Sequence, residues 1–235
     1  MDDFITIKGV SKSLNNKVVI KDLTLSIASG RIVGLLGNNG IGKTTLLRLL
    51  GNMQLPDEGE IRIENRPVSA AVAKNIVYLL APDHLFEWMR VKDAITYHKD
   101  FFPDFDTKKA YRICDEIGIK PEERIDRMSK GNQERVCLIL AFSRNAKLYL
   151  MDEPLGGIDP TFKRGIKRFI LENLPEDATI IMSTHLLKDL EMLFDQILIM
   201  KEQTIISIDT DEIRAERGQS IDDYYEEVMS DAVNH

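Results

Sequence analysis

An apolar run, Arg31-Ile32-Val33-Gly34-Leu35-Leu36, stops at Gly37-Asn38-Asn39-Gly40-Ile41-Gly42-Lys43-Thr44, and a second apolar run opens at Thr45-Leu46-Leu47. The middle stretch meets the phosphate-binding pattern G-x-x-x-x-G-K-[ST] at every fixed position. The first run reads as a buried strand and the second as the start of a helix. A strand that delivers a glycine loop to a helix N-terminus confines the chain to α/β folds. It also predicts a nucleoside triphosphate as ligand. Gly37, Gly40 and Gly42, with Asn38 and Asn39 between them, let backbone N–H groups turn in on phosphates, and the helix start at Thr45 adds positive potential. Lys43 supplies a point charge, and the Thr44 hydroxyl is the expected protein ligand of Mg²⁺.

A chain of 235 residues, 43% hydrophobic and 29% charged, has the means to bury a sizeable core. No run reaches the roughly 18–20 apolar residues of a membrane span, and Met1-Asp2-Asp3-Phe4 lacks a signal peptide's basic start. A cytoplasmic location is therefore expected. A net charge of −7 and a pI near 5.2 argue against nucleic acid as partner. Cys114 and Cys137 lack metal or disulfide spacing and are expected as buried thiols. His84, His98 and His235 show no ligand spacing, so no metal beyond Mg²⁺ is expected.

Phe4-Ile5-Thr6-Ile7, Lys17-Val18-Val19-Ile20 and Leu23-Thr24-Leu25-Ser26-Ile27 read as strands of an antiparallel lobe, with a turn at Asn15-Asn16. Two more strands are expected at Glu60–Ile63 and Asn75–Leu80, after a turn at Pro56-Asp57-Glu58-Gly59. From about 83 to 142 the pattern turns helical, with aromatics including Trp88 and apolar spacing through Tyr111, Cys114 and Ile117 to Gly118. Near-continuous apolar runs, Leu148–Met151 and Thr179–Ser183, then read as parallel strands covered on both faces. The first of these ends in Asp152-Glu153. At that strand end Asp152 suits the Mg²⁺ shell, and Glu153 suits a base that deprotonates an attacking water. An acidic segment, Asp222 to Asp231, reads as a peripheral helix or frayed tail.

Met128-Ser129-Lys130-Gly131-Asn132-Gln133 resembles the L-S-G-G-Q signature of the ATP-binding-cassette (ABC) family. The resemblance extends to the P-loop, the acid pair Asp152-Glu153 before Pro154, the loop Gly156-Gly157-Ile158-Asp159-Pro160, and a switch histidine in Ser183-Thr184-His185. It covers nearly the whole chain. It implies a single P-loop ABC ATPase domain: a mixed sheet core, an antiparallel β lobe, a helical subdomain at 83–142 and a peripheral acidic segment at 212–235. It also implies ATP and Mg²⁺ as cofactors, a second ABC subunit packed head-to-tail, and a separately encoded transmembrane permease that holds the chain at the cytoplasmic face of the membrane. In that dimer Ser129 and Gly131 would meet the γ-phosphate held by the other subunit, Asp159 would link the two sites, and His185 would hold the attacking water. Trp88 lies where the family receives its membrane partner.

Three departures from the family pattern bear on function. Ala81 replaces the glutamine that contacts Mg²⁺ and water. Leu14 replaces the aromatic that stacks on adenine, leaving van der Waals contact alone. Lys130 and Asn132 replace the signature's glycine and glutamine. Slow hydrolysis or unusual coupling is the expectation. The run 82–91, the segment 101–106 and the signature together resemble bacterial exporter subunits of the peptide and bacitracin-resistance group, and the missing glutamine at 81 also points to export. Two other readings stand beside this one: a degenerate cassette serving as the regulatory half of a heterodimer, and a soluble ABC protein without a membrane partner. The second lacks its marks here, a tandem cassette or a long heptad insertion.

Overall fold

The computed structural model describes residues 3–79, 86, 88–185 and 187–230. Two sheets organise them. The first is antiparallel, in the order β2 (Lys17–Ala28), β1 (Asp3–Leu14), β4 (Glu58–Ile63), β5 (Arg66–Pro67). Its first hairpin turns at Asn15 and Asn16, with φ of 49° and 64°, the left-handed pair that asparagine tolerates. The two strands expected at 17–20 and 23–27 are one. Asp22, at φ 47° and with its N–H on Ser11 Oγ at 3.1 Å, absorbs an irregularity in register without ending the strand.

The second sheet runs β10 (Thr204–Asp209), β9 (Gln196–Lys201), β3 (Ile32–Leu36), β8 (Thr179–Ser183), β7 (Leu148–Asp152), β6 (Ile76–Leu79). Every neighbouring pair is parallel except β9 and β10. The strands β9 and β10 are additions to what the sequence predicts. The sheet divides two apolar cores, and strand alternation deals residues to each. Leu148 and Leu150 join Leu46, Leu47 and the antiparallel sheet's Ile5 and Ile7 on one side. Tyr149 and Met151 join Val136, Leu140 and Phe169 on the other. Each such aliphatic or aromatic side chain contributes about 1.5–3 kcal/mol on burial.

Helix α1 (Lys43–Leu50) follows β3, and the short α2 (Ala70–Ala73) precedes β6. Between β6 and β7 in the chain come α3 (Val91–Phe101), α4 (Thr107–Ile117), a 3₁₀ turn at Ile125–Arg127 and α5 (Lys130–Phe142). Asp106 caps α4 by accepting from Lys109 N at 3.0 Å, and Gly118 ends it at φ 72°. Arg144 ties the connection between α3 and α4 to the end of α2. Arg144 is 5% exposed, donates from Nε to both Asp104 oxygens at 2.8 and 3.0 Å, and donates from Nη2 to the Lys74 carbonyl at 2.7 Å. Its guanidinium also lies 4.0 Å from the centre of the Phe102 ring.

Cys114 in α4 and Cys137 in α5 are free and buried, and burial pushes their thiols up to about 11 and about 12. The remaining helices are α6 (Pro160–Asn173), α7 (Leu187–Leu190), α8 (Thr210–Glu216) and α9 (Ile221–Ser230). Helix α9 is amphipathic: Ile221 and Tyr224 enter the helical-side core while Asp222 and Asp223 stay toward its surface. No helix among the described residues is long and apolar enough to cross a membrane.

Candidate active site

Strands β3, β8 and β7 lie side by side and point the same way, so the loops that leave their C-terminal ends meet along one edge of the sheet. The glycine loop leaves β3, Asp152-Glu153 ends β7, and Thr184-His185 leaves β8. Asp152 and Ser183 are register partners at the last rung. Topology thus assembles residues that the sequence scatters over 140 positions and more.

The loop is built by left-handed glycines. Gly37, Gly40 and Gly42 have φ of 147°, 74° and 123°. A Cβ on Gly42 would come within 2.4 Å of Val19 Cγ1, so the loop packs directly against β2 and admits no side chain there. The same hairpin carries Leu14, which is half-buried and paired with Lys17. Gly42 caps α1 with no side-chain hydrogen bond, and the first intrahelical bond runs from Leu46 N to Gly42 O at 3.0 Å. The amides of Lys43, Thr44 and Thr45 are therefore the helix's open donors. Asn38, Asn39 and Gly40 are exposed on the outside of the loop.

Lys43 is 7% exposed and donates from Nζ to the carbonyls of Gly37 at 2.6 Å and Asn38 at 3.3 Å. Burial lowers its pKa, and the carboxylates of Glu153 and Asp152 oppose that shift. Thr44 Oγ1 donates to Asp152 Oδ2 at 2.6 Å. Ser183 Oγ donates to Asp152 Oδ1 at 2.6 Å and accepts from Glu153 N at 2.9 Å. Glu153 sits at φ 48°, a left-handed conformation that costs a non-glycine residue about 1 kcal/mol or more. Its carboxylate accepts from His185 N at 3.3 Å, and His185 Nε2 lies 3.0 Å from Oε1, at ion-pair distance without hydrogen-bond alignment. One connected path therefore runs Thr44, Asp152, Ser183, Glu153, His185. Ser183 is its middle link. The sequence shows Ser183 only as the last residue of an apolar strand, and its role is visible once β7 and β8 are in register.

Ser129, Gly131 and Asp159 lie at the starts of α5 and α6. Ser129 caps α5, accepting from Asn132 N at 3.3 Å. Asp159 caps α6 through Oδ1, which accepts from Thr161 N at 3.0 Å and Phe162 N at 3.1 Å, while Oδ2 pairs with Arg135 of α5. These bonds, first that from Phe162 N, hold the Asp159 carboxyl below its usual range. Ala81, His84 and His235, together with the ends of the expected segments at Leu80 and Asp231, lie outside the described residues.

A family model described as ABC transporter matches residues 20–156, which span the glycine loop, the capped helix α5 and the acid pair. The chain belongs to the ABC transporter family. It is 28% identical over 216 residues to the ABC transporter ATP-binding protein YtrB of Bacillus subtilis (strain 168), covering 90% of this chain and 74% of that protein. It is 31% identical to the Nod factor export ATP-binding protein I of Rhizobium sp. (strain N33), over 84% of this chain and 67% of the relative. It is 30% identical to the Fe(3+) ions import ATP-binding protein FbpC of Pasteurella multocida (strain Pm70), over 87% of this chain and 61% of the relative. A solved ATP-binding subunit of an ABC transporter superposes with a TM-score of 0.85 at 23% identity, covering 96% of this chain and 99% of that one. The P-loop ABC fold expected from the sequence is thus the fold found. The chain is an ABC transporter ATP-binding subunit, an ATPase of the kind that drives transport with transmembrane subunits.

Proposed function

We propose that this ABC subunit hydrolyses ATP as one half of a head-to-tail pair and drives a separately encoded permease, most directly an exporter. The path from Thr44 through Asp152 and Ser183 to Glu153 and His185 carries the reading, because it places a phosphate-side hydroxyl, a carboxylate pair and an imidazole in one contact network. The loop amides, the open end of α1 and Lys43 would cradle the triphosphate. Lys43 would exchange the carbonyls of Gly37 and Asn38 for phosphate oxygens. Leu14, two residues from the end of the hairpin that abuts the loop, would give the adenine an apolar face.

Magnesium fits this site. The Thr44 hydroxyl and Asp152 carboxylate are hard oxygen donors in mutual contact, the small protein share that Mg²⁺ takes when phosphates and waters complete its shell. When bound, it neutralises charge on the phosphate oxygens. The Glu153 carboxylate would accept a proton from water as the water oxygen bonds to the γ-phosphorus. The bond from that phosphorus to the bridging oxygen breaks, and ADP leaves with its electron pair. The His185 backbone N–H, which Glu153 Oε2 accepts, would keep the carboxylate in place, and its ring, 3.0 Å from Oε1, would contact the γ-phosphate and hold the attacking water. Ser129 and Gly131 at the start of α5 would close over ATP held by the second subunit, with Asp159 beside that interface.

Trp88, 67% exposed, and Phe101, 62% exposed, flank Phe86 and Tyr97 in a chain of ring contacts, with Phe86 and Tyr97 centroids 5.4 Å apart and Tyr97 and Phe101 4.4 Å apart. An apolar patch of this kind suits a permease loop at the cytoplasmic face of the membrane. Export rests on Ala81, which stands where importers of the family carry glutamine; the named relatives include both an export and an import protein. The test is Glu153→Gln. It should lower kcat by about 10²–10⁴-fold, keep ATP affinity and trap a dimer seen by analytical ultracentrifugation. Hydrolysis at the native rate would reassign the base. For the unmutated chain, activity per subunit should rise with protein concentration; ATP binding with no hydrolysis at any concentration would favour a regulatory half.

A further inference from the structure

Helix α5 does more than present Ser129. Its Glu134 is 6% exposed and accepts the Gly157 N–H in a fork, at 2.9 Å to Oε1 and 2.8 Å to Oε2. Burial raises the pKa of this carboxyl, opposed first by the Gly157 N–H and then by the charges of Lys130 and Lys163. A carboxylate taken out of water in this way needs a structural reason.

The packing around it is equally close. A Cβ on Gly157 would come within 2.6 Å of Glu134 Oε1, and a Cβ on Gly131 within 2.8 Å of the Gly157 carbonyl oxygen. Two glycines on different elements are thus fixed by one contact between α5 and the loop after β7. That loop begins at Glu153, whose φ of 48° is strained for a side-chain residue. Upstream the strain is held by Glu153 N on Ser183, and within the loop by Gly156 N on the Glu153 carbonyl at 3.3 Å. The next fixed point along the chain is Gly157, and it is held by Glu134.

We propose that Glu134 is a positioning residue for hydrolysis: by gripping the Gly157 amide it keeps the 153–157 turn closed, and so keeps the Glu153 carboxylate aimed beside His185. The contact that Glu134 makes is with the Gly157 backbone, not with the Glu153 side chain. Glu134 acts through Glu153, and the inference rests on the reading of Glu153 as the base. It also links two subunits' sites within one chain. The helix whose N-terminus would cover the partner's ATP is the helix that holds this chain's own turn at Glu153, so displacement of α5 is felt at the base.

The experiment compares Glu134→Ala, Glu134→Gln and Gly157→Ala in the full chain, by amide hydrogen exchange over 153–160 and by ATPase kinetics. Glu134→Ala should speed exchange across 153–160 and cut kcat by about 10–100-fold, the cost of a misplaced reacting group, while KM for ATP stays within about twofold. Glu134→Gln keeps an acceptor for Gly157 N–H and should recover most of both. Gly157→Ala, whose methyl would collide with Glu134, should reproduce Glu134→Ala. Unchanged exchange in Glu134→Ala overturns the proposal even without a kinetic measurement, as does a loss confined to KM or a Gln variant as impaired as the Ala one. Glu153→Gln run alongside separates the two readings. If it retains the native rate, the base assignment fails; if it is inactive while Glu134→Ala is normal, only the positioning role fails.

Discussion

Ser183→Ala tests the site's geometry through a residue with no expected contact to nucleotide. Its hydroxyl is fully buried, donates to the Asp152 carboxylate at 2.6 Å and accepts from Glu153 N at 2.9 Å. The first bond is charge-assisted, worth about 1.5–3 kcal/mol, and its loss leaves Asp152 Oδ1 without that donor. The second is worth about 0.5–1.5 kcal/mol, but Glu153 N also bonds the Ser183 carbonyl at 3.2 Å, so little of that is lost. The sum is about 2–3 kcal/mol. In a chain of this length each kcal/mol moves Tm by roughly 2–4 °C, so a fall of about 4–12 °C is expected in calorimetry. Turnover should fall as well, because Glu153 N loses one of its two acceptors at a strained backbone position. The decisive control is a cycle with Asp152→Asn. Removing the charge first should shrink the effect of Ser183→Ala by about 1 kcal/mol or more. A Tm change below 2 °C, or strict additivity with Asp152→Asn, would refute the bridging role.

Lys43→Ala should weaken ATP binding by about 10–100-fold, the loss of one charge-assisted phosphate contact, and an unchanged nucleotide titration would sink the phosphate-loop assignment. Asp104→Ala strands the nearly buried Arg144 guanidinium; because the Lys74 carbonyl and the Phe102 face remain, the cost should lie near the low end for a broken buried pair, about 3 kcal/mol, read as a Tm fall of about 6–12 °C. Burial lowers the pKa of His98, opposed by the contact of Nδ1 with the Ala94 carbonyl at 2.9 Å and aided by the nearby Arg144 charge. Its folded pKa lies below the unfolded value of about 6.5, so the unfolded chain binds the extra proton first, and stability present above that value should be lost as pH falls through it toward the folded pKa. Thermal scans between pH 7.5 and 5.5 should therefore be flatter for His98→Gln than for the native chain, and identical slopes would remove His98 as the cause.

The nucleotide half of the fold is legible in the sequence because its signals are local. A strand, a glycine loop and a helix start sit within twenty residues, and each fixes the next. The Asn15-Asn16 turn, the Gly118 helix end and the Ser129 cap are local in the same sense, and all three are found where their residue types place them. Strand continuity through Asp22 is not legible, since a polar residue at a left-handed φ reads as a turn until the neighbouring strand supplies Ser11. Strands β9 and β10 carry the apolar runs of strands but no turn residues that mark a glycine or proline hairpin; Glu202, at φ 54°, makes the turn instead.

The site divides along the same line. Lys43, Thr44, Asp152 and Glu153 can be named from residue type and order, because phosphate binding and water activation demand those groups, and His185 from the resemblance to the family. What joins them cannot. Ser183 matters because β7 and β8 pair with Asp152 opposite Ser183, and Glu134 matters because α5 crosses the loop after β7 at two glycines. Both are polar residues in otherwise apolar or helical runs, where the ordinary reading is a strand end or a solvated helix face. Asp159 shows the converse. Its place in the ordered motifs suggests a residue reaching toward a second subunit, yet within this chain both its oxygens are engaged, one by the start of α6 and one by Arg135. Oδ1 accepts two backbone N–H groups and Oδ2 one guanidinium contact, so Oδ2 keeps the lone pair that a further donor would use. Within this chain Asp159 joins the start of α6 to Arg135 of α5. Arg135→Ala should free Oδ2 while leaving the Oδ1 cap on α6 intact, so amide exchange at Thr161 and Phe162 should stay at the native rate; faster exchange there would show that the cap depends on the ion pair.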